Sequence, residues 1–335
     1  MTGPASPGAA HPGVSVVIAA HDAAATIAEA IESVLGQSIP PLETIVVDDG
    51  STDGTGQLVA ERFPGVRVVT QANSGPSLAR NLAVAQARGE WIAFLDADDV
   101  WHPDKLALQL GAAARHPGTV LVASDWVSSV ADFVIEPDGA RSHESVLSTR
   151  DMVLLNRFQT STVLLSRGVA VATGGFDPSV DGTEDWDLWV RSSMLGTVVK
   201  VDRPLVCYRD LPGSYSKDGW RVYSSMLRLL DRHLVAAGLS GRELRRVRAW
   251  HELRFLVSFS KAGRPDLARR VVFDLRSEHL VGATPGAAVR HLLPFLARRR
   301  LKRLARRIRP ARQGARRPPL LRSPRAAQAS GAGQE

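Results

Sequence analysis

Three stretches of this chain gather carboxylates where chemistry is plausible. The run FLDADDVWHPDKL at 94–106 puts Asp96, Asp98 and Asp99 within four residues, immediately after an apolar segment that begins at Trp91. Like charges this close repel, so a favourable interaction must offset the cost. Hard divalent cations such as Mg2+ or Mn2+ take oxygen ligands, and Mg2+ commonly uses one or two protein carboxylates together with phosphate oxygens and water. In an extended segment residues i and i+2 point the same way, so Asp96 and Asp98 can converge on one ion. The competing reading is a turn followed by a cap, with Asp98 or Asp99 starting a helix around Pro103 to Leu110.

A second pair, Asp48 and Asp49, heads the loop DDGSTDGT. A carboxylate there can accept hydrogen bonds from a nucleobase N–H or a ribose hydroxyl, or it can simply close an Asx turn. A third set, Glu184, Asp185 and Asp187, lies in TEDWDLWVR. Either Thr183 caps a helix whose first turn favours acids, or one of these acids is a general base facing the first cluster. Two common nucleotide sites are excluded. No Gly-Lys-Ser/Thr follows the glycine loop, and the first strand–helix turn lacks Gly-x-Gly-x-x-Gly.

The elements that must position these acids are legible from hydrophobic patterning. VSVVIAA at 14–20 reads as a buried strand, and Ile27, Ile31, Val34 and Leu35 have helical spacing. A strand over 44–47, a helix near 54–62, the strand VRVVTQ, a helix over about 76–88 and the strand WIAFLD follow. Strands alternating with helices imply a parallel sheet with crossover connections. Ligands of such sheets bind beyond the carboxyl ends of the strands, where Asp48, Asp49, Asp96 and Asp98 fall. VLVASDWVSSV, STVLLSR, VVKVD and PLVCYRD read as further extended segments, and EDWDLWVRSSML as a helix with Leu188 and Trp189 in the core. Residues 219–278 are mostly helical by pattern, with Met226, Leu229, Leu230 and Leu234 on one face.

The 335 residues carry a formal charge of +8, unevenly spread. Residues 279–334 hold 14 of the 42 Lys and Arg and no Asp or Glu, which leaves residues 1–278 with 28 basic and 33 acidic side chains, a net −5. The single cysteine, Cys207, excludes an internal disulfide and suits a buried packing role. No apolar run approaches the roughly 20 residues of a membrane-spanning helix, and the first 13 residues read as a disordered leader rather than a secretory signal.

Taken in order, VSVVIAAHDAAATIAEAIESVLGQS, ETIVVDDGSTDGT, NSGPSLARNLAVAQARGEWIAFLDADDVWHPDKL, GGFDPSVDGTEDWDLWVR and PLVCYRDLPGSYS resemble the family 2 glycosyltransferases of the GT-A fold over about residues 14–216. The resemblance implies an α/β, Rossmann-like domain, a mostly parallel sheet flanked by helices, and inverting transfer of a sugar from a nucleotide diphosphate, UDP in preference to GDP or dTDP, to an acceptor hydroxyl. By the same resemblance Ala19, His21 and Asp22 line the nucleotide pocket and Asp49 holds the base. Arg80 stands beside the nucleotide, though a structural ion pair is an equal reading of it. Asp96 faces the ribose or the metal, Asp98 ligates Mg2+ or Mn2+, and Asp185 is the base, with Glu184 as second candidate. Two departures stand out. His21 and Asp22 replace the family's usual aromatic and Asn, and an acid at 22 is unexpected near phosphates. The Gln-x-x-Arg-Trp motif of processive synthases is missing, which favours single additions.

The expected organisation is a leader (1–13), a catalytic domain (14–218, its halves meeting at 115/116), a helical extension (219–280) and a basic tail (281–335). In the tail, PFLARRRLKRLARRIR at 294–309 aligns Ala297, Leu301, Leu304, Ala305 and Ile308 on one face. Such a helix suits an anionic membrane surface through residues 289–325, and equally a solvated tail or one docked on the acidic body. The partners expected are a nucleotide-sugar donor and a glycan or lipid-linked acceptor, in the cytoplasm or at the inner face of the plasma membrane. Nucleic acid fits less well, because no stacking aromatics interleave the basic residues. Two other readings stay open: a catalytically silent sugar-nucleotide-binding module, and an Arg-rich nucleic-acid-binding protein.

Overall fold

A computed structural model describes residues 12–133, 143–209 and 218–278. The leader to residue 11 and the basic tail, with its membrane-facing segment 289–325, lie outside the described residues.

Four apolar, β-branched segments form the first half of one mixed sheet. They are β1 (Val14–Ala20), β2 (Glu43–Asp48), β3 (Arg67–Thr70) and β4 (Trp91–Asp96), all parallel, in the spatial order β3-β2-β1-β4. Helices α1 (Ile27–Leu35), α2 (Thr55–Arg62) and α3 (Pro76–Gln86) make the crossovers. Parallel neighbours require such crossovers, and helices on the faces bury the strands on both sides. Hence β1 reads as an apolar run rather than an alternation.

Beyond β4 the sheet changes sense. It continues through β8 (Leu164–Ser166), antiparallel to both β4 and β6 (Thr119–Val127), and then through β9 (Thr197–Cys207), parallel to β6. The separate segments VVKVD and PLVCYRD are therefore one strand, whose pairing with β6 slips register around Asp125 and Pro204. Two short strands escape the patterning, β5 (Val100–Trp101) and β7 (Glu144–Leu147), each antiparallel to β9. At two and four residues they are too short to show a period.

The remaining helices are α4 (Lys105–Arg115), α5 (Thr149–Leu154), α6 (Arg167–Ala172), α7 (Glu184–Ser193), α8 (Gly219–His233), α9 (Gly241–Lys261) and α10 (Pro265–Glu278). Met226, Leu229, Leu230 and Leu234 are buried, as their spacing requires, in the same core as β4 and α7. At the centre of that core Phe94 meets Phe176 edge-on at 5.2 Å and Trp189 at 5.9 Å. Leu188 and Trp189 are fully buried, and so is Cys207.

Phe94 lies two residues before Asp96, so this aromatic cluster is the floor of the acidic strand end. Truncating it, Phe94→Ala, is expected to cost about 3–5 kcal/mol through lost burial and the cavity left behind. A urea titration followed by circular dichroism measures it.

Candidate active site

The carboxyl ends of β1, β2 and β4 lie side by side: Ala20 is in register with Asp48, and Ala19 with Asp96. Tertiary pairing thus brings together acids that are 48 positions apart in sequence.

Within the DADD stretch the side chains divide by parity. Asp96 and Asp98 are half-buried, while Ala97 and Asp99 are buried. Asp99 receives the Ser161 hydroxyl at 2.5 Å and the Arg209 backbone N–H at 2.9 Å. The same Ser161 oxygen accepts the Asp96 N–H at 3.0 Å. Asp99 therefore does more than shape the turn assigned to it: it clamps the acidic strand end to the 160–162 turn and to the end of β9. The capping alternative is not seen, because α4 begins at Lys105 with Asp104 at the cap position and no side-chain cap bond. Asp98 has no ion pair and no hydrogen-bond partner from another residue among the described residues. Burial, then the charge on Asp96, raises its carboxyl to about 6. Burial and Asp96 likewise raise Asp99. The cluster is short of positive charge.

Arg80, on α3, supplies part of it. Its guanidinium donates to Asp96 Oδ1 at 2.8 Å, reaches Glu184 Oε1 at 3.4 Å and stacks over the Phe176 ring at 5.2 Å. It is at once a buried ion pair and a part of the site, and it joins the first acid cluster to the third.

Helix α7 opens on the site, but not by the expected cap. The Thr183 hydroxyl donates back to the Val180 carbonyl, and the N–H of Gly182 is taken by Glu184 Oε2 at 2.7 Å. Glu184 is buried and has both oxygens engaged. Asp185 is half-buried, accepting from Asn156 Nδ2 at 3.1 Å and from the Trp186 N–H. Burial and then the neighbouring Glu184 raise its carboxyl to about 7. Asp187 turns the other way and pairs with Arg191 and His233.

On the β1–β2 side, the buried Asp49 carboxylate accepts from Gln71 Nε2 at 2.6 Å, the Ser74 N–H at 2.8 Å and the Gly75 N–H at 2.9 Å. Its side chain therefore shapes the loop before α3. Gly75 sits at φ +87° and ψ 162°, a backbone region essentially restricted to glycine. His21 Nδ1 lies 3.0 Å from the Asp49 carbonyl and Nε2 lies 3.1 Å from Asn73. The unexpected acid at 22 is accounted for locally. Asp22 has φ +47°, tolerated by Asp, and its carboxylate takes the Thr52 N–H at 2.8 Å, which latches the two strand-end loops together.

Sequence reasoning missed Ser161, Asn156 and Asn81. Asn81 holds the 174–176 turn through paired bonds of 2.8 Å to the Phe176 N–H and carbonyl. None of the three belongs to a charged cluster, so nothing in their spacing marked them. Arg157, next to Asn156, has no ion-pair partner among the described residues, and its Nε is buried without a hydrogen bond.

A doubly wound sheet that passes into antiparallel strands, with acids at the β4 end facing an acid-tipped helix, defines the glycosyltransferases of the GT-A fold. The chain belongs to glycosyl transferase family 2, whose profile matches residues 15–162. It is 30% identical over 227 residues to the putative teichuronic acid biosynthesis glycosyltransferase TuaG of Bacillus subtilis, covering 63% of this chain and 84% of that one. It is 31% identical to the amylovoran biosynthesis glycosyltransferase AmsB of Erwinia amylovora, covering 58% and 68%. Among solved structures it resembles S. aureus TarS 1–349 in complex with UDP-GlcNAc, with TM-score 0.58, 17% identity and coverage of 80% and 93%. It also resembles the mannosyltransferase PcManGT of Pyrobaculum calidifontis in complex with GDP-Man and Mn2+, with TM-score 0.55, 21% identity and coverage of 86% and 81%.

Removing the Arg80 charge strands two carboxylates in a partly desolvated site. Arg80→Met is expected to lower stability by about 3 kcal/mol. Arg80→Lys should recover only part of this, since one ammonium cannot fork to two acids. Urea unfolding midpoints of the two variants against the parent check both statements.

Proposed function

We propose that this glycosyltransferase moves a sugar, with inversion and one residue at a time, from a nucleotide diphosphate donor to a hydroxyl of a glycan or lipid-linked acceptor. UDP is the preferred carrier. The observation that carries the reading is Asp98, a half-buried carboxylate just past the end of β4 that has no ion-pair partner among the described residues. It stands beside Asp96, and Arg80 links Asp96 to the helix that bears Asp185.

The donor set fits Mg2+ or Mn2+. No group of three or more His, Cys, Asp or Glu forms an all-protein metal cage among the described residues. A Mg2+ ion shared with a diphosphate needs only one or two carboxylates, which Asp98 and Asp96 supply. When bound, the ion neutralises charge on the departing diphosphate. The relative solved with GDP-Man and Mn2+ supports this choice.

Position supports the remaining roles in this reading. Ala19, His21 and Asp22 border the nucleotide pocket, Asp22 through the loop it latches. Asp49 presents the base-facing loop and keeps one lone-pair direction for the base itself. Arg80 holds Asp96 while remaining close to the phosphates. Asp185, oriented by Asn156, accepts the proton of the acceptor hydroxyl as the sugar gains oxocarbenium character. Glu184 is the weaker candidate for base, because Arg80 and the Gly182 N–H already occupy its oxygens.

Two outcomes test the assignment. Raised carboxyls at Asp98 and Asp99 mean that the folded state binds more protons than the unfolded chain. Their contribution to stability is present below about pH 4 and is lost as pH rises through about 6 to 8. In EDTA at pH 8, Asp98→Asn should therefore be more stable than the parent, by about 1 kcal/mol after discounting for solvent screening. The same variant should lose the Mn2+-dependent rise in melting temperature that UDP-sugars give the parent. Scanning calorimetry with UDP-, GDP- and dTDP-sugars reads both effects, and an unchanged Mn2+ response would remove Asp98 from the site.

Asp185→Asn should retain donor binding and lose about 10²- to 10⁴-fold in transfer rate. In the parent, kcat/KM should rise with pH through about 7, where Asp185 loses its proton. Full activity in the variant would pass the role to Glu184.

A further inference from the structure

Helices α9 and α10 meet through the short turn 262–264. Their inner side is packed, with Phe259, Leu267 and Val271 buried. Their outer side is not. Leu256, Pro265, Ala268, Arg269, Val272 and Phe273 line an apolar cavity of about 560 Å³. Phe273 is 72% exposed. A surface helix ordinarily turns polar groups to solvent, and an apolar patch rimmed by charge marks an interaction surface.

The rim here is basic. Lys261, Arg264 and Arg269 are exposed, and among the described residues only Arg264 of these has a carboxylate partner, Asp266, while the exposed Arg270 lies over the Trp220 ring at 4.1 Å. Residues 241–278 contain ten Lys and Arg against five Asp and Glu, a net +5, whereas residues 1–240 carry −10.

We infer that this face of α9 and α10 docks on an anionic lipid bilayer, with Phe273 entering the headgroup region and the surrounding cations pairing with lipid phosphates. Charge selects the occupant. The chain continues from α10 into residues 279–334, which hold 14 Lys and Arg and no acid. A basic tail is repelled by a basic face, while an anionic surface attracts both, and it repels the acidic residues 1–240. The bilayer would thus hold the α9–α10 side down. The inference rests on the transferase reading only for its consequence, an acceptor presented at the membrane surface.

The single native cysteine, Cys207, is buried, so Phe273→Cys in the full chain directs an environment-sensitive dye to position 273. A dye at Val171→Cys, 60% exposed on α6, serves as control. Vesicles of phosphatidylcholine with phosphatidylglycerol should shift emission at 273 to the blue and leave 171 unchanged, and phosphatidylcholine alone should shift neither. Each surface cation is worth about fivefold in partition. Arg269→Glu, a change of two charges, should therefore lower the partition onto the anionic vesicles by about 25-fold and keep the parent's melting temperature and nucleotide response. Flotation without a shift at 273 overturns the inference, because another segment then binds. So does a blue-shifted dye before vesicles are added, because the tail or a second copy then covers the face. Loss of the nucleotide response would count against the donor site and not against this surface.

Discussion

The guanidinium of Arg80 ties together segments that share no strand pairing. It is carried by α3, pairs with Asp96 at the end of β4, and reaches Glu184, 104 residues away, at the start of α7. A planar, permanently charged fork can serve two carboxylates at once, which a single ammonium cannot do. Burying three charges is unfavourable unless each is matched, so the arrangement holds only while β4, α3 and α7 keep their positions. The stack of Arg80 on Phe176, and the edge-on contact of Phe176 with Phe94, join that electrostatic link to the aromatic core. Fixing the distance between the two acidic segments fixes the space in which, in the proposed mechanism, donor and acceptor meet.

The carboxylates around this link differ in how fully they are compensated, and that difference separates support from chemistry. Asp49, Asp99 and Glu184 are buried and accept two or three donors each. They hold loops and strand ends together. Among the described residues Asp98 has no such partner, and Asp185 has one from a side chain, Asn156. Both are raised towards neutrality by burial. A raised carboxyl that also keeps an unengaged oxygen is a candidate for reaction; Asp99 is raised too, but Ser161 and the Arg209 N–H engage its oxygens.

Much of the first half was legible because its signals are local. Apolar runs of strand length, helical spacing and glycine-rich turns placed β1 to β4 and α1 to α3 within a few residues, and the acids at the strand ends followed from the α/β pattern. The second half was less so. The strands β5 and β7 are too short for a period, and β9 was split in reading because its register slips at Pro204. The cap expected of Thr183 failed because its hydroxyl donates to the Val180 carbonyl, while the Asp185 carboxylate takes the Trp186 N–H. Ser161, Asn156 and Asn81 matter through bonds to residues distant in sequence, so their own neighbourhoods carried no mark of them.

By itself the sequence determined the fold class and the identity of the acids, since hydrophobic period and residue type are properties of short segments. It also determined the opposed charges of the catalytic part and the extension, which composition alone sets. Only the tertiary structure decided which acids are free. Compensation depends largely on donors 22 to 110 residues away, such as Gln71 on Asp49 and Arg209 on Asp99. A carboxylate's neighbours in space, not its neighbours in the chain, decide whether it holds the structure or remains available to a substrate.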